Sequence, residues 1–258
     1  MLREGVFYEG VIVVLRIEHL TKRYASKVAA ADINLHIQSG EIYGFIGHNG
    51  AGKTTVIKSC CGLLKFDEGE VYIDGISVKN EPIECKKRIA YLPDNPDLYE
   101  YLSGMKYLNF VADVYGIPTT ERRERIDRYA AMLELTGDLG QPISSYSHGM
   151  KQKLAVISAL IHNPKLIIMD EPFVGLDPVA SHLLKGIMRQ ICDEGGAIFF
   201  STHVLEVAEK LCDKVAIIRQ GRIVANGTME EIKGDSSLEE VFLELTENPE
   251  NKVGGANA

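Results

Sequence analysis

Polar and apolar residues alternate at every second position through LRIEHLTKRY (15–24) and ADINLHI (31–37). A period of two belongs to strands that bury one face and wet the other. Leu15 to Gly40 therefore reads as antiparallel strands, with Tyr24 in the turn region between them. The pattern then changes to a continuous apolar segment, Ile42 to Ile46, a glycine-rich stretch, and a helical run from Thr54 to Cys61 ended by Gly62. Phe66 to Lys79 returns to short alternation, with turn signals at Glu68-Gly69 and Asp74-Gly75. Lys86 to Pro93 reads as a further strand.

Beyond it the period becomes helical. Tyr99 through Leu139 is rich in Leu, Tyr, Arg and Glu, punctuated at Ile117-Pro118 and Gly137, so residues 94 to 147 form a helical insertion and not a separate domain. Met150, Leu154, Ile157 and Ile161 continue at helical spacing, with Ser147 as N-cap and Asn163-Pro164 as the stop. Three short apolar runs follow, Leu166 to Met169, Ala197 to Phe200 and Val215 to Ile218, as expected of strands buried on both faces. Amphipathic helices at Ala180 to Cys192 and Val204 to Leu211 separate them, which predicts a doubly wound α/β core with a mainly parallel sheet. The domain built on this core spans residues 13 to 235 in this reading. Residues 236 to 258 make a C-terminal helix (Leu238 to Leu245) and a disordered polar tail.

Composition narrows the function classes. With 258 residues, 45% hydrophobic and 25% charged, the chain can build one substantial core. A net charge of −8 argues against a nucleic-acid partner. No apolar run approaches the roughly 20 residues of a membrane span, and Val11 to Leu15 is too short for a signal-peptide core, which points to a soluble, cytosolic chain. The five cysteines form no CxxC and the seven histidines no metal spacing, so buried, reduced thiols are expected.

The chemistry concentrates in GHNGAGKTT, residues 47 to 55, which sits between strand and helix. Gly47, Gly50 and Gly52 let the backbone curl so that successive N–H groups face phosphate oxygens, and the following helix adds its positive end. Lys53 supplies a point charge for the β- and γ-phosphates, and the Thr54 hydroxyl is placed to ligate Mg²⁺. The spacing alone leaves kinase, switch and motor open. Asp170 ends the strand LIIM, where ligands sit in parallel sheets, and is positioned to hold Mg²⁺ through water. Glu171 follows it, placed to polarise a water attacking the γ-phosphate.

With these motifs the chain resembles the ATP-binding-cassette (ABC) transporter ATPases, a P-loop NTPase family, from about Leu15 to Thr246. Besides GHNGAGKTT and LIIMDEP, it carries YSHGMKQKL in place of the LSGGQ signature, GLDP for the D-loop and STH for the switch histidine. The resemblance implies an antiparallel β subdomain beside the core and ATP held by His48, Asn49, Ala51 and Thr55 together with the residues above. It implies that Ser147, His148 and Gly149 bind the γ-phosphate of ATP on a second copy or a homologous subunit. His203 would orient the attacking water, Asp177 would cross the dimer interface, and Tyr24 would stack on adenine. Asp94 stands where many members carry a glutamine that touches Mg²⁺; a carboxylate can also ligate the ion but adds charge beside Asp170 and Glu171. His148 and Met150 depart from the common Gly and Gln, as in the exporter branch that pairs with ABC-2 type permeases. Tyr91, Tyr99, Tyr101, Tyr107 and Tyr115 cluster where such a permease would dock, at the inner face of the membrane. A metabolite phosphotransferase, or a DNA-associated clamp of the wider superfamily, are the rival readings; the ordered motifs speak against the first, and the single cassette without a coiled coil against the second.

Overall fold

A computed structural model describes residues 7–8, 11–25 and 27–247; the polar tail expected at the C-terminus lies outside them. In chain order the strands are β1 (Phe7–Tyr8), β2 (Val11–Tyr24), β3 (Lys27–Gln38), β4 (Ile42–Ile46), β5 (Glu68–Ile73), β6 (Ile76–Ser77), β7 (Ile89–Leu92), β8 (Leu166–Asp170), β9 (Ala197–Thr202), β10 (Lys214–Arg219) and β11 (Arg222–Thr228). The helices are α1 (Lys53–Cys60), α2 (Pro82–Lys86), α3 (Gly104–Val114), α4 (Thr119–Met132), α5 (His148–Leu160), α6 (Pro178–Asp193), α7 (Leu205–Leu211), α8 (Met229–Lys233) and α9 (Leu238–Glu247).

Two sheets organise the chain. The larger has the order β11-β10-β4-β9-β8-β7 and is parallel except at β11. The smaller is antiparallel, with β2 pairing β1, β3 and β5, and β6 pairing β5. Every residue of β4, β8 and β9 is buried, so neither face of these central strands meets water. Their side chains still alternate, as the pleat requires. Ile42, Ile46, Met169, Ile198 and Phe200 enter one core with α5 and α6, whereas Tyr43, Phe45, Ile168 and Phe199 enter a second with α1 and the antiparallel sheet. A continuous apolar run is thus two interleaved stripes, one for each core.

Caps set the helix starts. Asp177 accepts from the Ala180 N–H (2.8 Å) at the start of α6, and Ser147 accepts from the Met150 N–H (3.2 Å) at the start of α5. Between β7 and α5 the chain leaves the sheet and forms α3 and α4, which join the end of α5 where Arg125 donates to the Ile161 carbonyl (2.8 Å). All five cysteines are buried and unpaired. Among the described residues no helix is long and apolar enough to cross a membrane.

Several local expectations shift. The strand expected from Lys86 begins at Ile89, because Pro82 opens the short helix α2 that runs to Lys86. Tyr24 is the last residue of β2 and not a turn residue. Asp74-Gly75 is a two-residue hairpin turn with both φ angles positive, but Glu68-Gly69 lies inside β5. Gly69 has φ +87°, and a Cβ there would meet the Glu18 carbonyl oxygen at 2.3 Å, beside the register shift between Glu18 and Thr21. Its glycine serves a bulge, not a turn. Gly69→Ala should therefore destabilise the protein by about 2 kcal/mol or more. Urea denaturation checks this, and an unchanged midpoint would contradict the bulge assignment.

Candidate functional site

Residues 47 to 52 link β4 to α1, and close backbone contacts hold them on three sides. A Cβ at Gly47 would lie 2.5 Å from the Ile218 carbonyl oxygen, and one at Gly52 only 2.2 Å from that of Ala29. Gly52 also has φ +113°, so it is glycine on both counts. From the third side, the β10–β11 turn donates its Gly221 N–H to the Ala51 carbonyl (2.8 Å) and accepts from the Ala31 N–H (2.7 Å). The loop is wedged between both sheets. Because α1 is preceded by Gly52 as N-cap, with no side-chain cap, its first N–H groups are left for a ligand.

An open cavity of about 360 Å³ faces this loop. His48, Asn49, Gly50, Gly52, Lys53, Thr54 and Thr55 line it, together with Tyr24, Lys27 and Ala29 from the antiparallel sheet, Asp94 beyond β7, and Asp170 and Glu171 at the end of β8. Gly47 and Ala51 shape the loop without lining the cavity. The convergence follows from strand order, because β4, β9 and β8 are neighbours and parallel, so their carboxyl ends open on one edge.

Lys53 is buried, with its ammonium donating to the Gly47 carbonyl (2.6 Å) and lying 3.2 Å from Glu171 Oε1. The Thr54 hydroxyl donates to Asp170 Oδ2 (2.7 Å), and the Ser201 hydroxyl to Asp170 Oδ1 (2.6 Å). Ser201 Oγ in turn accepts from the Glu171 N–H (3.0 Å), so one hydroxyl fixes both carboxylate residues. Glu171 has φ +50°, a strained backbone for a residue with a side chain. Its Oε2 accepts from the His203 N–H (3.3 Å) and lies 3.0 Å from His203 Nδ1. Its Oε1 is buried and makes no hydrogen bond in addition to the Lys53 ion pair. A polyanion entering the cavity would meet the lysine and compete with Glu171 for it, and Oε1, which has no hydrogen bond beyond that ion pair, would then be left to accept a proton from water.

Thr54 and Asp170 offer adjacent hard oxygens, which fits a Mg²⁺ ion that takes one or two protein ligands and completes its shell with phosphate and water. Among the described residues no group of three His, Cys, Asp or Glu side chains could hold a metal ion. Asp94 is exposed on the cavity wall. Tyr24 is half exposed at the mouth, with the Lys22 ammonium 5.2 Å from its ring centroid.

Ser147, His148, Gly149 and Asp177 do not line this cavity. They form a second assembly. A Cβ at Gly175 would lie 2.8 Å from His148 Nε2, and Gln152, one turn along α5, donates to the Val174 carbonyl (3.2 Å). The signature segment and the D-loop are thus packed together. Ser201 and Gly221 carried no motif beyond STH and a Gln-Gly turn and went unread in the sequence. Tyr91, grouped with the docking tyrosines, has a buried hydroxyl without a partner. Burial above all, then the charges of Asp170, Cys61 and Asp94, pushes its pKa well above the usual phenol value.

The ABC transporter family model matches residues 30–174. EcsA, an ABC-type transporter ATP-binding protein of Bacillus subtilis (strain 168), is 32% identical over 238 residues, 90% of this chain and 96% of its own length. LnrL, the linearmycin resistance ATP-binding protein of the same organism, is 33% identical over 215 residues, 83% of this chain and 69% of its own. Curated relatives of this kind are spanned over 60% to 96% of their length. A solved structure described as the ATP binding subunit of an ABC transporter superposes with a TM-score of 0.86 at 34% identity, covering 90% of this chain and 99% of the other. Sequence and fold converge on one lineage: the chain belongs to the ABC transporter ATP-binding proteins, the nucleotide-binding subunits of transporter complexes.

Proposed function

We propose that the chain hydrolyses ATP, dimerises around two ATP molecules and drives a separate membrane permease, an ABC-2 type exporter of unknown substrate. The observation that carries the hydrolytic part is Glu171, held by Ser201 and His203 with one oxygen left without a hydrogen bond, opposite the buried Lys53. Glu171 is the group that takes a proton from the attacking water, and His203 orients the carboxylate and the γ-phosphate. Lys53 and the loop N–H groups bind the phosphates. Thr54 and Asp170 would hold Mg²⁺, with Asp94 within reach on the cavity wall, and the ion would neutralise phosphate charge.

Half of such a site is supplied in trans. The start of α5, where Ser147, His148 and Gly149 expose N–H groups, suits a phosphate held by a second copy or a homologous subunit. Asp177, on the adjoining segment, lies where the two copies would meet.

The permease reading rests on the aromatic face. Tyr99 packs against Tyr101, Tyr107 and Phe110 at ring separations of 5.6 to 6.1 Å, and Tyr101 is 81% exposed. Beside them Tyr107, Val111, Tyr115 and Ala155 line a cavity of about 240 Å³ with Pro96 and Leu98. The segment that contributes Pro96 here contributes Asp94 to the nucleotide cavity, which connects permease docking to hydrolysis through two residues. Departures from the common signature at His148 and Met150, and a relative named for linearmycin resistance, favour export. The chain then works on the cytoplasmic face of the membrane, with no nucleic-acid partner.

Glu171→Gln should slow hydrolysis at least about 100-fold while ATP binding persists and an ATP-bound dimer accumulates. Phosphate release and light scattering measure these; hydrolysis at the normal rate would remove Glu171 from the mechanism. Lys53→Ala should weaken ATP binding by about tenfold or more, the scale of a lost charge-assisted hydrogen bond. Equilibrium titration checks this, and unchanged affinity would contradict the phosphate-loop assignment.

A further inference from the structure

The helix α9 stands outside the ATPase motifs, yet it touches the phosphate loop at one residue and, at a second, the strand that leads into the turn clamping it. The Phe242 ring, 5% exposed, meets the His48 ring edge to face with centroids 4.9 Å apart. His48 is a loop residue whose carbonyl accepts from the Ala51 N–H (3.1 Å) and, at longer range, from the Lys53 ammonium (3.4 Å). One turn further along α9, the Leu245 carbonyl accepts from Arg219 Nη1 (3.1 Å). Arg219 ends β10, and two residues on is Gly221, whose N–H holds the Ala51 carbonyl. One contact therefore bears on residue 48 of the loop directly, and the other on the turn whose Gly221 N–H holds residue 51.

The helix is itself well anchored. At its start, Ser237 and Glu240 cap each other's backbone N–H groups (3.2 and 2.9 Å), and the Leu238 N–H donates to Glu209 Oε2 (3.3 Å). Leu238 is fully buried. At its end, a guanidinium on a terminal carbonyl satisfies an otherwise orphaned acceptor and suits the negative end of the helix. A loose appendage would need none of these.

We propose that α9 braces the phosphate loop, so that docking of Phe242 and Arg219 and binding of nucleotide favour each other. Both are positioning residues: neither lines the cavity, and each acts through a loop residue or its clamp. The inference rests on the loop being the nucleotide site. By linkage, nucleotide must stabilise the helix by the same factor by which the helix improves affinity.

The test uses the full chain and the slowly hydrolysed analogue ATPγS. Phe242→Leu, which keeps the apolar filling and removes the ring, should weaken ATPγS binding roughly 2- to 12-fold, the range of an edge-to-face pair. Arg219→Gln should weaken it too. Leu243→Ala, on the exposed face of the same helix, should leave it unchanged. In a His48→Ala background Phe242→Leu should add nothing, since the contact is already gone. ATPγS should also slow hydrogen exchange of the α9 amides in the unaltered chain. Wild-type affinity in Phe242→Leu, or additive losses in the double variant, would overturn the proposal. If Phe242→Leu fails to fold, the exchange measurement decides, and α9 amides indifferent to ATPγS would overturn it. Undiminished binding in Lys53→Ala would instead overturn the reading of the loop as the nucleotide site.

Discussion

A lysine ammonium buried to 6% exposure is the constraint around which the rest of the molecule is arranged. Taking a charge out of water is costly unless fixed dipoles or an opposite charge replace the solvent. Here the Gly47 and His48 carbonyls and the Glu171 carboxylate do so. Those partners can be held only if the loop curls back over the lysine, which requires Gly47 and Gly52 to approach other backbones more closely than any side chain permits. The curl in turn needs walls. Strand β3 provides one through Ala29, the β10–β11 turn another through Gly221, and the end of β8 supplies the counter-charge. Both sheets are thus recruited to hold one cation where a polyphosphate can reach it.

The same geometry explains why the carboxylates are specific. Asp170 is committed to Thr54 and Ser201, whereas Glu171 is turned by a positive φ away from the strand and toward Lys53 and His203. Two neighbouring acids in one sequence therefore face different partners, Asp170 the hydroxyls of Thr54 and Ser201, Glu171 the Lys53 ammonium and the His203 ring. The strain at Glu171 is held by Ser201 and His203 acting on its backbone and side chain.

Much of this was legible because its signals are local. A glycine loop between strand and helix, and apolar runs ending in acid, carry their meaning in adjacent residues. The parallel core was readable for the same reason. What escaped was set by contacts distant in sequence. Gly69 reads as a turn until Glu18, fifty-one residues earlier, is found against it. Strand β11 and helix α8 lack an apolar run, since β11 is an edge strand that is nowhere fully buried and α8 relies on the Thr228–Glu231 capping box. Ser201 was a letter in STH until its hydroxyl was seen between two carboxylate residues, and the phosphate-loop role of Gly221 has no motif at all. Phe242 looked like one more apolar position of a terminal helix, and only packing brings it to His48.

In the proposed function the loop, its counter-charge and the carboxylates supply one half of a shared site, and the helix start at Ser147 to Gly149, away from that cavity on the same chain, supplies the other. Two variants isolate the halves: Lys53→Ala disables the loop, and Gly149→Asp, at a position with open space around it, puts a negative charge where phosphate would sit. Each should be inactive alone, and a mixture can pair an intact loop with an intact signature segment across two copies. The account predicts that mixing the two purified variants restores ATP hydrolysis. A mixture no more active than its separate components would contradict the shared site.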